Sequence, residues 1–139
     1  MNRALEIAWA PLRAGAFEAT TRSYAPYSHV SVGACGLCEN GDIVVGSNVE
    51  NASYGLTLCA ECSLVSDLIR VGGRRLVAVS IVAGDGEPIA PCGRCRQLLF
   101  EHGGNDLLID SGDGAPPSRL EELLPGAFGP DDLDVRRTP

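Results

Sequence analysis

The stretch Leu56–Leu64, "LTLCAECSL", places Cys59, Glu61 and Cys62 within four positions of an otherwise apolar run. A second stretch, "APCGRCRQLL" from Ala90 to Leu99, sets Cys92 and Cys95 two residues apart after Pro91. Residues 59–71 carry helical periodicity and stop at Gly72-Gly73; residues 92–102 do the same and stop at Gly103-Gly104. Each cysteine group therefore falls at the start of a predicted helix. Unpaired N–H groups and the helix dipole lower a thiol's pKa there. If the two helix starts meet, three thiolates converge.

The rest of the pattern says what can bring them together. "VSVGACGLCENGDIVVGS" (30–47) predicts two strands joined at Asn40-Gly41, a strong hairpin signal. "RLVAVSIVA" (75–83) reads as a buried strand and "DLLID" (106–110) as a short one. Leu5, Trp9, Leu12 and Ala16 predict a core-facing helix over about 3–21. In "APPSRLEELL" (115–124), Ser118 and Glu121 have capping-box spacing. The last residues, about 130–139, are expected to be a loosely ordered tail. The order is helix, hairpin, helix, strand, helix, strand, helix, which predicts an α/β sheet covered by helices on both faces.

At 139 residues, 45% apolar and 21% charged, the chain is expected to form one domain over residues 1–139. The net charge of −7 disfavours a nucleic-acid partner. No apolar run reaches membrane-spanning length and the N-terminus lacks a signal-peptide pattern, so a cytoplasmic location is expected. Disulfides are rare there, and six cysteines need another account. Cys35 and Cys38 could join Cys92 and Cys95 in a four-thiolate structural zinc site. An odd–even pair on a strand points to opposite faces, however, so core packing is expected for both. Cys59, Cys92 and Cys95 offer three ligands, the number that leaves a catalytic zinc one further position. Glu61, beside them, suits a general acid/base. The competing account is a first-turn glutamate favoured by the dipole, with the cysteines as buried bystanders.

The C-x-E spacing at Cys59–Glu61 and the P-C-x-x-C of Pro91–Cys95 match the zinc-deaminase signature. With "APYSHVSVGA", "GSNVENASYGLTLCAE", "PCGRCRQLL" and "ELLPGAFGPDDL", the chain from about Ala25 to Leu133 resembles the small cytidine deaminases of nucleoside salvage. The resemblance implies a three-layer α/β/α cytidine-deaminase-like fold with a mixed five-stranded sheet. It implies one zinc per subunit on Cys59, Cys92 and Cys95, with Glu61 as proton shuttle. Asn48 and Glu50 correspond to a pair that holds ribose hydroxyls, and the Ala60 backbone to a contact with the base carbonyl. Ala52, Tyr54 and Phe128 correspond to positions that reach a neighbour's site in a homotetramer with shared active sites. The implied reaction is hydrolytic deamination of cytidine and deoxycytidine to uridine and deoxyuridine, with a zinc-activated water attacking C4. A blasticidin-type deaminase of a modified cytosine nucleoside, or a noncatalytic zinc-binding module, would share parts of the signature.

Two residues depart from that pattern. Val30 stands where many relatives have Phe, and Cys62 where many have Arg. Without that Arg, a donor to the thiolates is expected from Arg94 or Arg96, with Arg96 favoured because it lies four residues after Cys92. Neither His29 nor His102 is expected to be catalytic.

Overall fold

The computed structural model describes residues 6–138. The expected hairpin forms as β1 (Val32–Cys38) and β2 (Ile43–Ser47), with Gly41 at φ +93° in the turn. Strand β3 (Leu76–Ala83) takes the centre; it reads as a continuous apolar run because both its faces are covered. Strands β4 (Leu108–Ile109) and β5 (Ser118–Arg119) complete a sheet in the order β2-β1-β3-β4-β5. β1 runs antiparallel to β2 and β3, β3 pairs parallel with β4, and β4 pairs antiparallel with β5. The sheet is therefore mixed and five-stranded, as expected.

Helix α1 (Trp9–Thr20) covers one face. Its Leu12 and Ala16 pack with Cys35, Ala78, Val82 and Leu108. Leu5, expected on the same stripe, lies outside the described residues. The other face carries α2 (Ala60–Arg70), α3 (Gly93–Gly103) and α4 (Leu120–Leu123). Leu64 and Leu68 of α2, Leu99 of α3 and Leu120 of α4 share a core with Cys38, Val44, Leu76, Val79 and Ile81. This is the three-layer α/β/α arrangement. Cys35 and Cys38 do point to opposite faces, and burial pushes the Cys35 thiol up to about 11. Both are neutral packing groups.

Two glycines inside the strands let the helices seat closely. A Cβ on Gly33 would lie 1.9 Å from the Ala16 carbonyl of α1, and one on Gly46 would lie 2.3 Å from the Ala60 carbonyl and the Leu64 amide of α2. The second notch matters for the site, because it sets the depth of the first turn of α2.

Two terminal expectations are corrected. Ser118 does not cap a helix: it belongs to β5, pairing with Ile109, and Glu122 rather than Glu121 accepts the N–H that opens α4, from Arg119 at 2.7 Å. The tail holds a short helix, α5 (Pro130–Asp134), with proline in its first turn and Asp132 accepting the Gly129 N–H at 2.8 Å. No helix among the described residues is long and apolar enough to cross a membrane.

At the end of β4, Asp110 accepts from Arg13 Nε and Nη2 at 2.7 and 2.8 Å, from Ser80 Oγ at 2.8 Å and from the Gly112 N–H at 3.0 Å. Burial pushes its pKa up, but the Arg13 bonds, with the Gly112 and Ser80 donors, outweigh burial and hold the carboxyl below its ordinary value. Asp110→Asn leaves the Arg13 charge with only the exposed Asp113, at 3.6 Å, and should cost about 1–3 kcal/mol at neutral pH. A lowered folded pKa adds stability above the unfolded value of about 3.9, and that stability is lost as pH falls through the folded value. Urea unfolding should therefore separate the two proteins at pH 7 and bring them together in acid. An equal gap at both pH values would refute the assignment.

Candidate metal centre and active-site cleft

Cys59 and Cys92 are the residues immediately before α2 and α3, both in extended backbone (φ −67°, ψ 160° and 168°). No side chain caps either helix start. At α3 the N–H groups of Arg94 and Cys95 reach the Cys92 thiol. Cys95 follows in the first turn of α3 and is fully buried. The Sγ atoms of Cys59, Cys92 and Cys95 lie within 4.8 Å of one another; among the described residues this is the one such cluster.

The electrostatics follow from burial and from the helix starts. Burial drives the Cys95 thiol far above its ordinary value, and the Glu61 charge adds to the rise. Burial also raises Cys59. Cys92 is pulled the other way, chiefly by the backbone N–H of Cys95. Three thiols and a carboxylate this close resist ionising together, and a divalent cation among them removes that cost. Three sulfur donors in this arrangement fit a soft ion such as zinc.

Glu61 is the second residue of α2 and only 4% exposed. Burial raises its pKa above the ordinary carboxylate value. With Cys59 and Cys92 it lines a cavity of about 170 Å³. Val32, Leu58, Ala60, Ile81 and Ile89 make the walls apolar, and Asn48 adds a polar group. These apolar wall residues carry no chemical signature of their own, so only the folded chain reveals them.

Beyond Thr57, a second hollow of about 420 Å³ is lined by Tyr27, Ser28, Glu50, Asn51, Tyr54 and Thr57. The expected substrate residues thus divide. Ala60 and Asn48 face the inner cavity, whereas Glu50 and Tyr54 face the outer hollow. Ala52 and Phe128 line neither and are exposed, with Phe128 at 57%. Tyr54 is more exposed still, at 76%, its ring edge against Tyr27 with centroids 6.1 Å apart.

Asn48 and Glu50 already hold neighbouring chain. Asn48 Oδ1 accepts the Val32 N–H at 2.9 Å and the Ser23 hydroxyl, and Nδ2 donates to the Val30 carbonyl at 2.9 Å. One Nδ2 hydrogen is left over. Glu50 accepts the Tyr27 and Ser28 N–H groups, each at 3.0 Å, and the Ser28 hydroxyl. The Ser28 donors hold the Glu50 pKa below its ordinary value. Ser28 carried no signal beyond its place in "PYSH"; a three-donor nest for a carboxylate is visible only once the loop folds. In the same loop, His29 takes a left-handed backbone (φ 60°), rare for a side chain with a Cβ. His102 sits in the last turn of α3. Neither histidine lines either hollow.

The expectation for Arg96 is corrected. Its Nε donates to the Pro91 carbonyl at 2.8 Å and Nη1 to the Leu123 carbonyl at 2.9 Å, not to the thiols. Arg94 reaches sulfur instead: Nη2 lies 3.5 Å from Cys62 Sγ and Nη1 donates to the Thr57 carbonyl at 3.2 Å. Cys62 is outside the three-thiol cluster.

Known proteins agree with this geometry. Residues 12–109 match the family described as the cytidine and deoxycytidylate deaminase zinc-binding region. A cytidine deaminase of Mycobacterium tuberculosis is 52% identical over 132 residues, covering 95% of this chain and 98% of its own. The crystal structure of cytidine deaminase from that organism matches with a TM-score of 0.85 at 53% identity, covering 88% of this chain and 98% of the other. The Mycobacterium leprae enzyme gives 0.82 at 50% identity, covering 86% and 98%. By this match and these identities, the chain belongs to the cytidine and deoxycytidylate deaminase family and is an enzyme of its cytidine deaminase branch.

Proposed function

We propose that the enzyme deaminates cytidine and deoxycytidine hydrolytically, giving uridine or deoxyuridine and ammonia. The observation that carries this reading is the three-thiol cluster with buried Glu61 at one end of a small apolar cavity. Cys59, Cys92 and Cys95 would hold one zinc per subunit. Zinc in such a site acts as a Lewis acid that makes water acidic near neutral pH.

Glu61 does the proton work. It accepts a proton from the water that adds to C4 and places it on ring N3. It then takes the proton of the new C4 hydroxyl and delivers it to the amino group as the C4–N bond breaks. Ammonia leaves, and C4 keeps the oxygen as a carbonyl. Burial suits both halves, because it brings the carboxyl pKa closer to working pH. The apolar walls exclude bulk water and strengthen each charge contact.

The Ala60 N–H, at the start of α2, would donate to the base carbonyl. The spare Nδ2 hydrogen of Asn48 and the anchored Glu50 carboxylate are the groups for sugar hydroxyls. A free nucleoside suits the small cavity, and the net charge of −7 disfavours a polynucleotide. The setting we infer is cytoplasmic pyrimidine salvage, by one deaminase domain over residues 1–139. Exposed Tyr54, Leu56 and Phe128 support a homotetramer in which neighbours complete each site. Ala52, also exposed, belongs to that set.

The deciding experiment is incubation of the purified, zinc-loaded protein with cytidine while ultraviolet absorbance follows uridine formation. Uridine and ammonia in equal amounts, from a species sizing as a tetramer, are expected. Turnover of a modified cytosine nucleoside but not of cytidine would replace the substrate assignment. A fully active monomer would end the shared-site reading.

A further inference from the structure

Arg96 ties together two carbonyls that have no helical partner of their own. Pro91 stands one residue before Cys92, outside α3, and is fully buried. A buried carbonyl there needs a donor, and Arg96 Nε supplies it at 2.8 Å. Leu123 ends α4, where the last carbonyls of a helix are unpaired; Nη1 supplies that one at 2.9 Å. The guanidinium thus bridges the loop that leads into the metal cluster and an element 27 residues away in sequence.

The three thiols do not depend equally on such support. Cys95 is buried within α3, and Cys59 is half-buried before α2, which the Gly46 notch seats against β2. Cys92 is exposed and precedes the first residue of its helix. It has the least packing of the three, so its sulfur relies on the N–H groups at the start of α3 and on the aim of the Pro91–Cys92 peptide. The Arg96 bond to the Pro91 carbonyl sets that peptide plane.

We propose that Arg96 is a positioning residue for the Cys92 thiolate: by holding the Pro91 and Leu123 carbonyls at once, it orients the loop that carries this zinc ligand. The proposal rests on zinc binding by the three cysteines. Its action is geometric and requires two donors diverging from one rigid plane. Lysine keeps the charge but has no such fork.

The test is zinc affinity, measured by competition with a chromophoric chelator, for wild type, Arg96→Gln and Arg96→Lys. The visible spectrum of each cobalt(II)-substituted protein is recorded alongside. Partners outside the ligand set are worth about 10–100-fold in metal affinity. Both variants should weaken zinc by that factor and shift the cobalt bands, whereas a change in fold stability alone would leave the bands in place. If Arg96→Gln does not fold, Arg96→Lys carries the test. Wild-type affinity and cobalt bands in either variant overturn the proposal, and for Arg96→Lys they show that charge alone suffices. Wild-type protein that takes up no zinc overturns the metal reading itself, a result seen before any variant is compared.

Discussion

Replacing Glu61 with Gln should leave fold and zinc content intact and lower turnover by about 10²–10⁴-fold, the usual worth of a positioned general acid/base. That loss corresponds to about 3–5 kcal/mol of transition-state stabilisation. Gln has nearly the same shape and fills the same 4%-exposed position at the start of α2. It can still hydrogen-bond, but it cannot take a proton from water and hand it on. A second readout separates this from a packing defect. In chelator-treated protein, burial raises the Glu61 pKa, so the ionised carboxyl weakens the fold as pH rises through its folded value. Glu61→Gln removes that penalty. The metal-free variant should therefore be at least as stable as wild type at pH 7 and equal to it below about pH 4. Retention of more than about a tenth of the activity would rule out Glu61 as the main proton carrier.

Much of this site could be read before folding, because its signals are local. A helix start announces itself through periodicity and a glycine stop, so Cys59 and Cys92 could be placed before α2 and α3 from sequence alone. Strand parity sent Cys35 and Cys38 to opposite faces, and the two cores confirm it. What escaped depends on distant partners. Nothing within "APPSRLEELL" distinguishes a capping Ser118 from a strand Ser118; pairing with β4 decides. Helical spacing set Arg96 on the Cys92 side of α3, but a long side chain can fold back, and the Leu123 carbonyl that draws it belongs to another element. The resemblance paired Asn48 with Glu50, yet could not show that the Tyr27–Ser28 turn already occupies the Glu50 carboxylate. The start of α5 has a local signal, since Pro130 followed by two aspartates suits a helix's first turn.

The cysteines should separate into two groups under substitution by alanine. Cys59→Ala, Cys92→Ala and Cys95→Ala should each lose zinc affinity by more than about 100-fold, since partners merely adjacent to a ligand are already worth about 10–100-fold. Activity should fall with the metal. Alanine is the proper replacement, because serine would offer an oxygen donor in the same place. Cys95→Ala should also lower stability, as its thiol is fully buried at the base of α3, whereas the exposed Cys92 can be lost with little packing cost. Cys35→Ala and Cys38→Ala should keep full zinc content. Each removes one buried sulfur from a closed core, at about 1–2 kcal/mol, and Cys35 Sγ packs close against Gly15 of α1. The contrast tests the geometry directly, because "CGLC" at 35–38 and "CGRC" at 92–95 share one spacing. Spacing alone predicts the same behaviour for both. A strand turns its pair toward two different cores, while the start of a helix brings its pair to one point. A Cys38→Ala protein that folds but holds no zinc would show that the strand pair reaches the metal after all.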